Sequence, residues 1–191
     1  MEVFFGTNNP HKLKEIQEIL GEAIRVKSFR DLDEKFDVEE TEDTLEGNAL
    51  LKARAFFKHT GLPCFSDDSG LEVAALGGAP GVYSKRYSGL YASAEANNTK
   101  LLEALQDEEN RQAQFRAVIA YVDADQEKTF EGRVVGTILV EPTGEGGFGY
   151  DPLFQPEGYA ISFAEMNADE KNRISHRGRA VAAFTQWLKN R

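Results

Sequence analysis

Val3-Phe4-Phe5-Gly6-Thr7-Asn8-Asn9-Pro10-His11-Lys12-Leu13-Lys14 opens the chain with three apolar residues, a polar turn and a proline-led basic segment. Val3 to Phe5 reads as a short strand. Pro10 to about Leu20 reads as a helix, because Leu13, Ile16, Ile19 and Leu20 fall on one face. Asn9 suits the N-cap and Pro10 the first helical position. A strand turning directly into a helix is the building unit of an α/β sheet.

The rest of the chain extends that pattern. A second strand is expected near Ile24 to Val26, followed by a loop from Asp31 to Glu46 with nine acidic residues and one lysine. Leu45, Ala49, Leu50, Ala53 and Phe57 then mark a helix running to about His59. Leu62 to Phe65 and Leu71 to Ala74 read as two strands around the polar run Ser66-Asp67-Asp68-Ser69-Gly70. A Gly/Pro-rich loop, Gly77 to Gly89, precedes a helix from about Ser93 to Leu105. Phe115 to Val122 and Lys128 to Val140 read as a long antiparallel hairpin. The last helix ends near Lys189 and places Val181, Phe184 and Leu188 on one face. Early alternation with later antiparallel pairing predicts an α/β fold, a mixed central β-sheet flanked by helices.

Composition removes several functional classes. With 32 acidic and 22 basic residues the formal charge is −10, which argues against nucleic acid or an anionic membrane as partner. The 191 residues suit one well-cored domain, 1–191. No apolar run approaches the ~18 residues of a membrane helix. One cysteine, Cys64, cannot close an intrachain disulfide, and its apolar neighbours Pro63 and Phe65 suit a buried thiol. The first residues lack the pattern of a secretory signal, so a cytoplasmic location is expected.

Two segments conflict with the sequence's own electrostatics. Positive charge at His11, Lys12 and Lys14 sits where the helix dipole is already positive, at a cost of a few tenths to about 1 kcal/mol unless an anion fills the site. A phosphate would resolve the conflict; a solvated basic helix start is the other reading. Lys171-Asn172-Arg173-Ile174-Ser175-His176-Arg177-Gly178-Arg179 gathers four of the 22 basic residues at the entry to the last helix, with Ser175 as a candidate N-cap. Such donors suit a phosphate chain or the acceptor edge of a base, or form a solvated face.

The run Ser66 to Gly70 brings adjacent carboxylates to the end of an apolar strand. Alternation along an extended chain lets only one of Asp67 and Asp68 address a given site, while the other holds the loop or caps a helix. A carboxylate beside phosphate-binding groups suggests Mg²⁺, with a second ligand from Val38-Glu39-Glu40-Thr41. Gly144-Glu145-Gly146-Gly147-Phe148-Gly149-Tyr150-Asp151 has the spacing of a dinucleotide-binding loop, but Pro152 follows where a helix would be needed, and that reading is rejected. Phe148 and Tyr150 either stack on a ligand base or belong to the core. No phosphate-binding G-x-x-x-x-G-K-[ST], no G-x-S-x-G and no zinc-ligand spacing occurs. The loop Gly81 to Gly89, with Tyr83, Lys85, Arg86 and Tyr87, has no assignment from chemistry alone.

Four segments in this order resemble the Ham1/inosine triphosphatase family of pyrophosphatases for deaminated purine nucleoside triphosphates. They are Thr7 to Lys12, Phe65 to Leu71 continuing from Leu76 to Ser84, Gly146 to Pro152, and Ile174 to Gly178. The resemblance implies an elongated sheet with two lobes around a cleft, a homodimer, and Mg²⁺-dependent hydrolysis of ITP, dITP or XTP to monophosphate and pyrophosphate. It implies that Thr7, Asn8, Asn9, Pro10, His11 and Lys12 bind phosphates, and that Glu40 and Asp68 hold Mg²⁺, with Glu39 and Glu42 as alternatives to Glu40. Asp68 is also the implied base for the attacking water. Ser69 would contact substrate, Phe148, Gly149, Tyr150, Asp151 and Lys171 would line the nucleotide pocket, and His176 and Arg177 would reach the base. Two rivals remain: a Maf-like pyrophosphatase acting on pyrimidine or modified nucleotides, and a nucleotide-binding module without catalysis.

Overall fold

The computed structural model describes residues 2–22, 24–32 and 36–190. Six strands, β1 (Glu2–Phe5), β2 (Arg25–Lys27), β3 (Cys64–Val73), β4 (Gln112–Val122), β5 (Glu127–Ile138) and β6 (Phe154–Pro156), form one sheet in the order β2-β1-β3-β4-β5-β6. β1 runs parallel to both β2 and β3, whereas β6 is antiparallel to β5, so the sheet is mixed as expected. The helices are α1 (Pro10–Leu20), α2 (Leu45–Thr60), α3 (Ala94–Ala104), α4 (Ala168–Ile174) and α5 (His176–Lys189).

The chain forms two compact units. The first comprises Met1–Asp68, Ala117–Gly132 and Arg177–Arg191, the second Ser69–Arg116 and Arg133–His176. Within the first unit, strand alternation dictates the layers. Val3, Phe5 and Phe65 join Ile16 and Leu20 of α1 and Val181, Phe184 and Leu188 of α5 in one cluster, while Phe4 and Cys64 pack with Phe29 and with Phe56 of α2 in another. Phe5 and Phe65 stack at 4.6 Å, and Phe65 meets Phe184 at 4.9 Å. Each such buried ring contributes about 1.5–3 kcal/mol. Burial also pushes the Cys64 thiol up to about 12, consistent with a structural role. In the second unit Leu71, Val73, Leu101, Phe115, Leu153, Phe154 and Phe163 form the core.

Two expectations are corrected. The segment Leu62 to Ala74 is not two strands around a polar turn: β3 runs without interruption from Cys64 to Val73. Its polar middle stays extended because Ser66, Asp67 and Asp68 each find a partner there. Ser66 Oγ donates to Ala49 O at 2.9 Å, and both aspartates are ion-paired. The basic run before the last helix is itself partly helical, as α4, capped by Asn167, whose side chain accepts from Glu170 N. Ser175, in extended conformation, ends α4 and stands directly before α5, the position expected for its N-cap.

Candidate active site

In the first unit, β3 presents Asp67 and Asp68 to opposite layers, as alternation requires. Asp67 points to the α1 and α5 side, where Lys12 Nζ lies 3.0 Å and Arg177 Nε 3.4 Å from its Oδ2. The Arg177 guanidinium also pairs with Glu15 of α1. Asp68 points to α2, where Lys52 Nζ lies 3.1 Å from its Oδ1 and 2.6 Å from Glu40 Oε1. Lys52 therefore bridges the two carboxylates that the sequence nominated together.

This arrangement shifts the groups in different directions. Burial opposes charge on Asp67, but Lys12, Arg177 and Lys52 outweigh it and hold the carboxyl below the usual carboxylate range. Asp68 goes the other way, because burial, with Glu40 adding to it, prevails over Lys52 and Lys12. Burial lowers Lys12 despite Asp67, whereas at Lys52 the carboxylates of Asp68 and Glu40 overcome burial and raise it. Asp67 Oδ1 and Asp68 Oδ2 are buried and have no hydrogen-bond partner among the described residues. An orphaned carboxylate oxygen in such a place costs free energy unless a donor or cation completes it. Glu40 and Asp68 are the two carboxylates that could hold a hard cation, whose usual protein ligands are one or two carboxylates.

The turn before α1 is more self-contained than its sequence implies. Asn9 is the N-cap, and its Oδ1 accepts from His11 N at 3.0 Å and Lys12 N at 3.4 Å, so two of the helix-start N–H groups are occupied. Thr7 Oγ1 accepts from Asn9 N at 3.1 Å. Asn8 Nδ2 donates to Phe36 O at 2.8 Å, tying the turn to the segment that leads to Glu40. Phe36 is itself stacked on His59 at 4.4 Å and packed on Phe56. Pro10 and His11 lie on the exposed side of the helix start.

The second unit gathers another set. Lys171 Nζ of α4 lies 2.7 Å from Asp151 Oδ2, 4.8 Å from the Phe148 ring centre and 5.8 Å from that of Phe163. Phe148 N donates to the same Asp151 oxygen at 2.7 Å. Tyr150 belongs to the core: its hydroxyl donates to Ser84 O at 2.8 Å, and burial raises its pKa. Phe148 is half-buried, so of the two aromatics Tyr150 is the core residue. His176 is buried with its ring stacked on Phe115 at 4.7 Å. Ser69 follows Asp68 on β3 and is half-buried. The structure thus groups Lys12 with Arg177, Glu40 with Asp68, and Phe148, Asp151 and Lys171 with one another.

Lys52 and Glu15 were not identified from sequence, although Lys52 carried a signal. Leu45, Asn48, Ala49, Ala53 and Phe56 are the buried residues of α2, and Lys52 falls on the same i, i+3, i+4 stripe. A lysine on a core-facing stripe needs a buried anion, and Asp68 and Glu40 supply it.

The Ham1 family profile matches residues 3–187. A protein of Porphyromonas gingivalis named dITP/XTP pyrophosphatase is 52% identical over 188 residues, covering 98% of this chain and 97% of that one. One of the same name from Flavobacterium psychrophilum is 45% identical over the full length of both. Among solved structures, a HAM1 protein from Coxiella burnetii superposes with a TM-score of 0.91 at 40% identity, covering 100% of both chains. The Ham1 protein of Staphylococcus aureus gives 0.90 at 40% identity, covering 100% of this chain and 99% of that one.

Proposed function

The chain belongs to the Ham1 family, and on that premise we propose that it hydrolyses deaminated purine nucleoside triphosphates, ITP, dITP or XTP, to the monophosphate and pyrophosphate. The observation that carries this reading is the buried array in which Asp67 and Asp68 leave β3 on opposite sides, each on its own lysine and each with one unpartnered oxygen. An orphaned buried oxygen costs free energy, and at Asp68, beside Glu40, a cation would complete it.

Glu40 and Asp68 would hold Mg²⁺, which when bound neutralises charge on the phosphate oxygens. Lys12 and the turn from Thr7 to His11 bind the polyphosphate. Asp68 accepts the proton of the attacking water as the new P–O bond forms and the α–β phosphoanhydride breaks, with pyrophosphate leaving. Lys52 orients Asp68 and keeps Glu40 beside it. Such preorganised charge is the main contribution expected for phosphoryl transfer. Ser69, Phe148 to Asp151, Lys171 and His176 contact the nucleoside, and Arg177 serves base choice from its place between Glu15 and Asp67. Hypoxanthine and xanthine offer an acceptor at position 6 where adenine offers a donor, so cationic donors favour the former.

In this reading the protein works in the cytoplasm and as a homodimer, and for the homodimer the exposed Tyr83, Leu90 and Tyr91, the last two 80% and 100% exposed, are the support. No helix among the described residues is long and apolar enough to cross a membrane. Pyrophosphate and orthophosphate release from ITP, XTP, dITP, ATP, GTP, dTTP and UTP tests the proposal. Pyrophosphate from the deaminated purines alone supports it. Turnover of pyrimidines would move the chain to Maf-like chemistry, and binding without turnover would make it a nucleotide-binding module.

A further inference from the structure

Helix α3 carries two adjacent asparagines in its interior, Asn97 and Asn98, only 5% and 9% exposed. Asparagine is a weak helix former, and a buried amide costs free energy unless it is hydrogen-bonded, so each calls for a reason. Asn97 is fully used. Its Oδ1 accepts from Ser88 N at 2.8 Å and Ser88 Oγ at 2.9 Å, and its Nδ2 donates to Lys85 O at 3.1 Å and Ser84 O at 3.4 Å. Asn98, about 100° further round the helix, is only half used. Its Nδ2 donates to Gly149 O at 3.1 Å, while its Oδ1 is buried with no hydrogen-bond partner among the described residues. The Gly149 carbonyl fixes which way this amide faces, because the reverse orientation would set two oxygens against each other.

The peptide that Asn98 holds lies between two aromatic residues, Phe148 and Tyr150. Gly147 and Gly149 both adopt left-handed backbone, at φ 69° and 64°. A Cβ at Gly147 would lie 2.2 Å from Asp151 Oδ2, so the chain passes directly against that carboxylate. Tyr150 is tied through its hydroxyl to Ser84, and Asp151 through its carboxylate to Lys171 and Phe148 N. Asp151 also holds the Phe148 backbone, accepting from Phe148 N and donating its own N–H to Phe148 O at 3.2 Å. Asn98 adds the hold on the next carbonyl, Gly149 O, from a different element.

We propose that Asn98 is a positioning residue for nucleoside recognition: from α3 it clamps the Gly149 peptide and thereby sets the Phe148 ring over Lys171. The inference rests on the reading that Phe148 to Asp151 receive the nucleoside. Removing the clamp lets the peptide rotate at a left-handed glycine, while Glu40, Lys52 and Asp68 keep their partners. Binding weakens and chemistry does not.

Asn98→Leu removes the donor at similar volume together with the orphaned oxygen, and Asn98→Asp removes the donor but keeps the acceptor. Both should raise KM for ITP roughly tenfold, the scale of one buried hydrogen bond, with kcat within about twofold. Amide hydrogen exchange over residues 147–151 of the ligand-free protein should speed up in both, while the Leu variant keeps its Tm. A role in helix packing alone predicts a lower Tm with KM unchanged. Unchanged KM in both variants, a fall in kcat without a rise in KM, or unchanged exchange would each overturn the proposal. If the wild-type protein releases no pyrophosphate, the functional reading fails instead, and the exchange measurement still decides whether Asn98 holds the loop.

Discussion

Both units bury a lysine against an aspartate, Lys12 on Asp67 in one and Lys171 on Asp151 in the other, yet the surroundings differ in kind. Around Asp67 and Asp68, the ion pairs join four carboxylates, Glu15, Glu40, Asp67 and Asp68, to three cations, Lys12, Lys52 and Arg177. Around Asp151 a single pair is flanked by the rings of Phe148 and Phe163, and its carboxylate is satisfied from two sides. A cluster with one carboxylate in excess and two orphaned oxygens suits a cation and a polyphosphate. A neutral pair among rings suits a flat, uncharged ring. The same buried pair thus sits in two kinds of surroundings, and in the reading proposed above those neighbours decide which chemistry each supports.

Substitutions can break that contrast in order of expected effect. Asp68→Asn should cut pyrophosphate release by at least about a thousandfold, yet alter stability by no more than ~1 kcal/mol, because Lys52 keeps Glu40 at 2.6 Å. Pyrophosphate assays paired with urea unfolding check both halves. Asp67→Ala should destabilise the fold by about 3 kcal/mol, since it leaves Lys12 and Arg177 buried together without their shared carboxylate. The urea midpoint reads this directly. A similar loss in Asp68→Asn would erase the distinction between a structural and a functional aspartate.

Glu40→Gln sharpens the carboxylate assignment: it should raise the Mg²⁺ concentration needed for half-maximal activity at least about tenfold, while Glu39→Gln and Glu42→Gln leave it alone. In the second unit, Phe148→Ala should raise KM for ITP several-fold, roughly 1–2 kcal/mol of lost ring contact, with kcat little changed. Steady-state kinetics separates the two. The smallest effect concerns Cys64, whose thiol is pushed up to about 12 by burial. Iodoacetamide at about pH 8 should leave it unmodified in the folded protein and label it in urea, as mass spectrometry would show.

Legibility in the sequence followed the range of the interaction. The start of α1 was readable because its cap, its proline and its apolar stripe all lie within eleven residues. That Asp67 and Asp68 leave β3 on opposite sides was readable from strand alternation alone. β3 was misread as two strands because its polar middle is compatible with extension only through Lys12, Lys52 and Ala49, which lie 16 to 55 residues away. α4 was missed because seven largely polar residues carry no periodic stripe. Nothing in the sequence distinguishes Asn98 from the other polar residues of its helix. Only the packing of α3 brings it to Gly149.

Pyrophosphate release from ITP, measured with Mg²⁺ and again with EDTA alongside Asp68→Asn, tests the central claim most directly. Metal-dependent release of one pyrophosphate per monophosphate by the wild-type protein, with none from Asp68→Asn, is the predicted result. Orthophosphate as the primary product, or release that persists in EDTA or in Asp68→Asn, would contradict it.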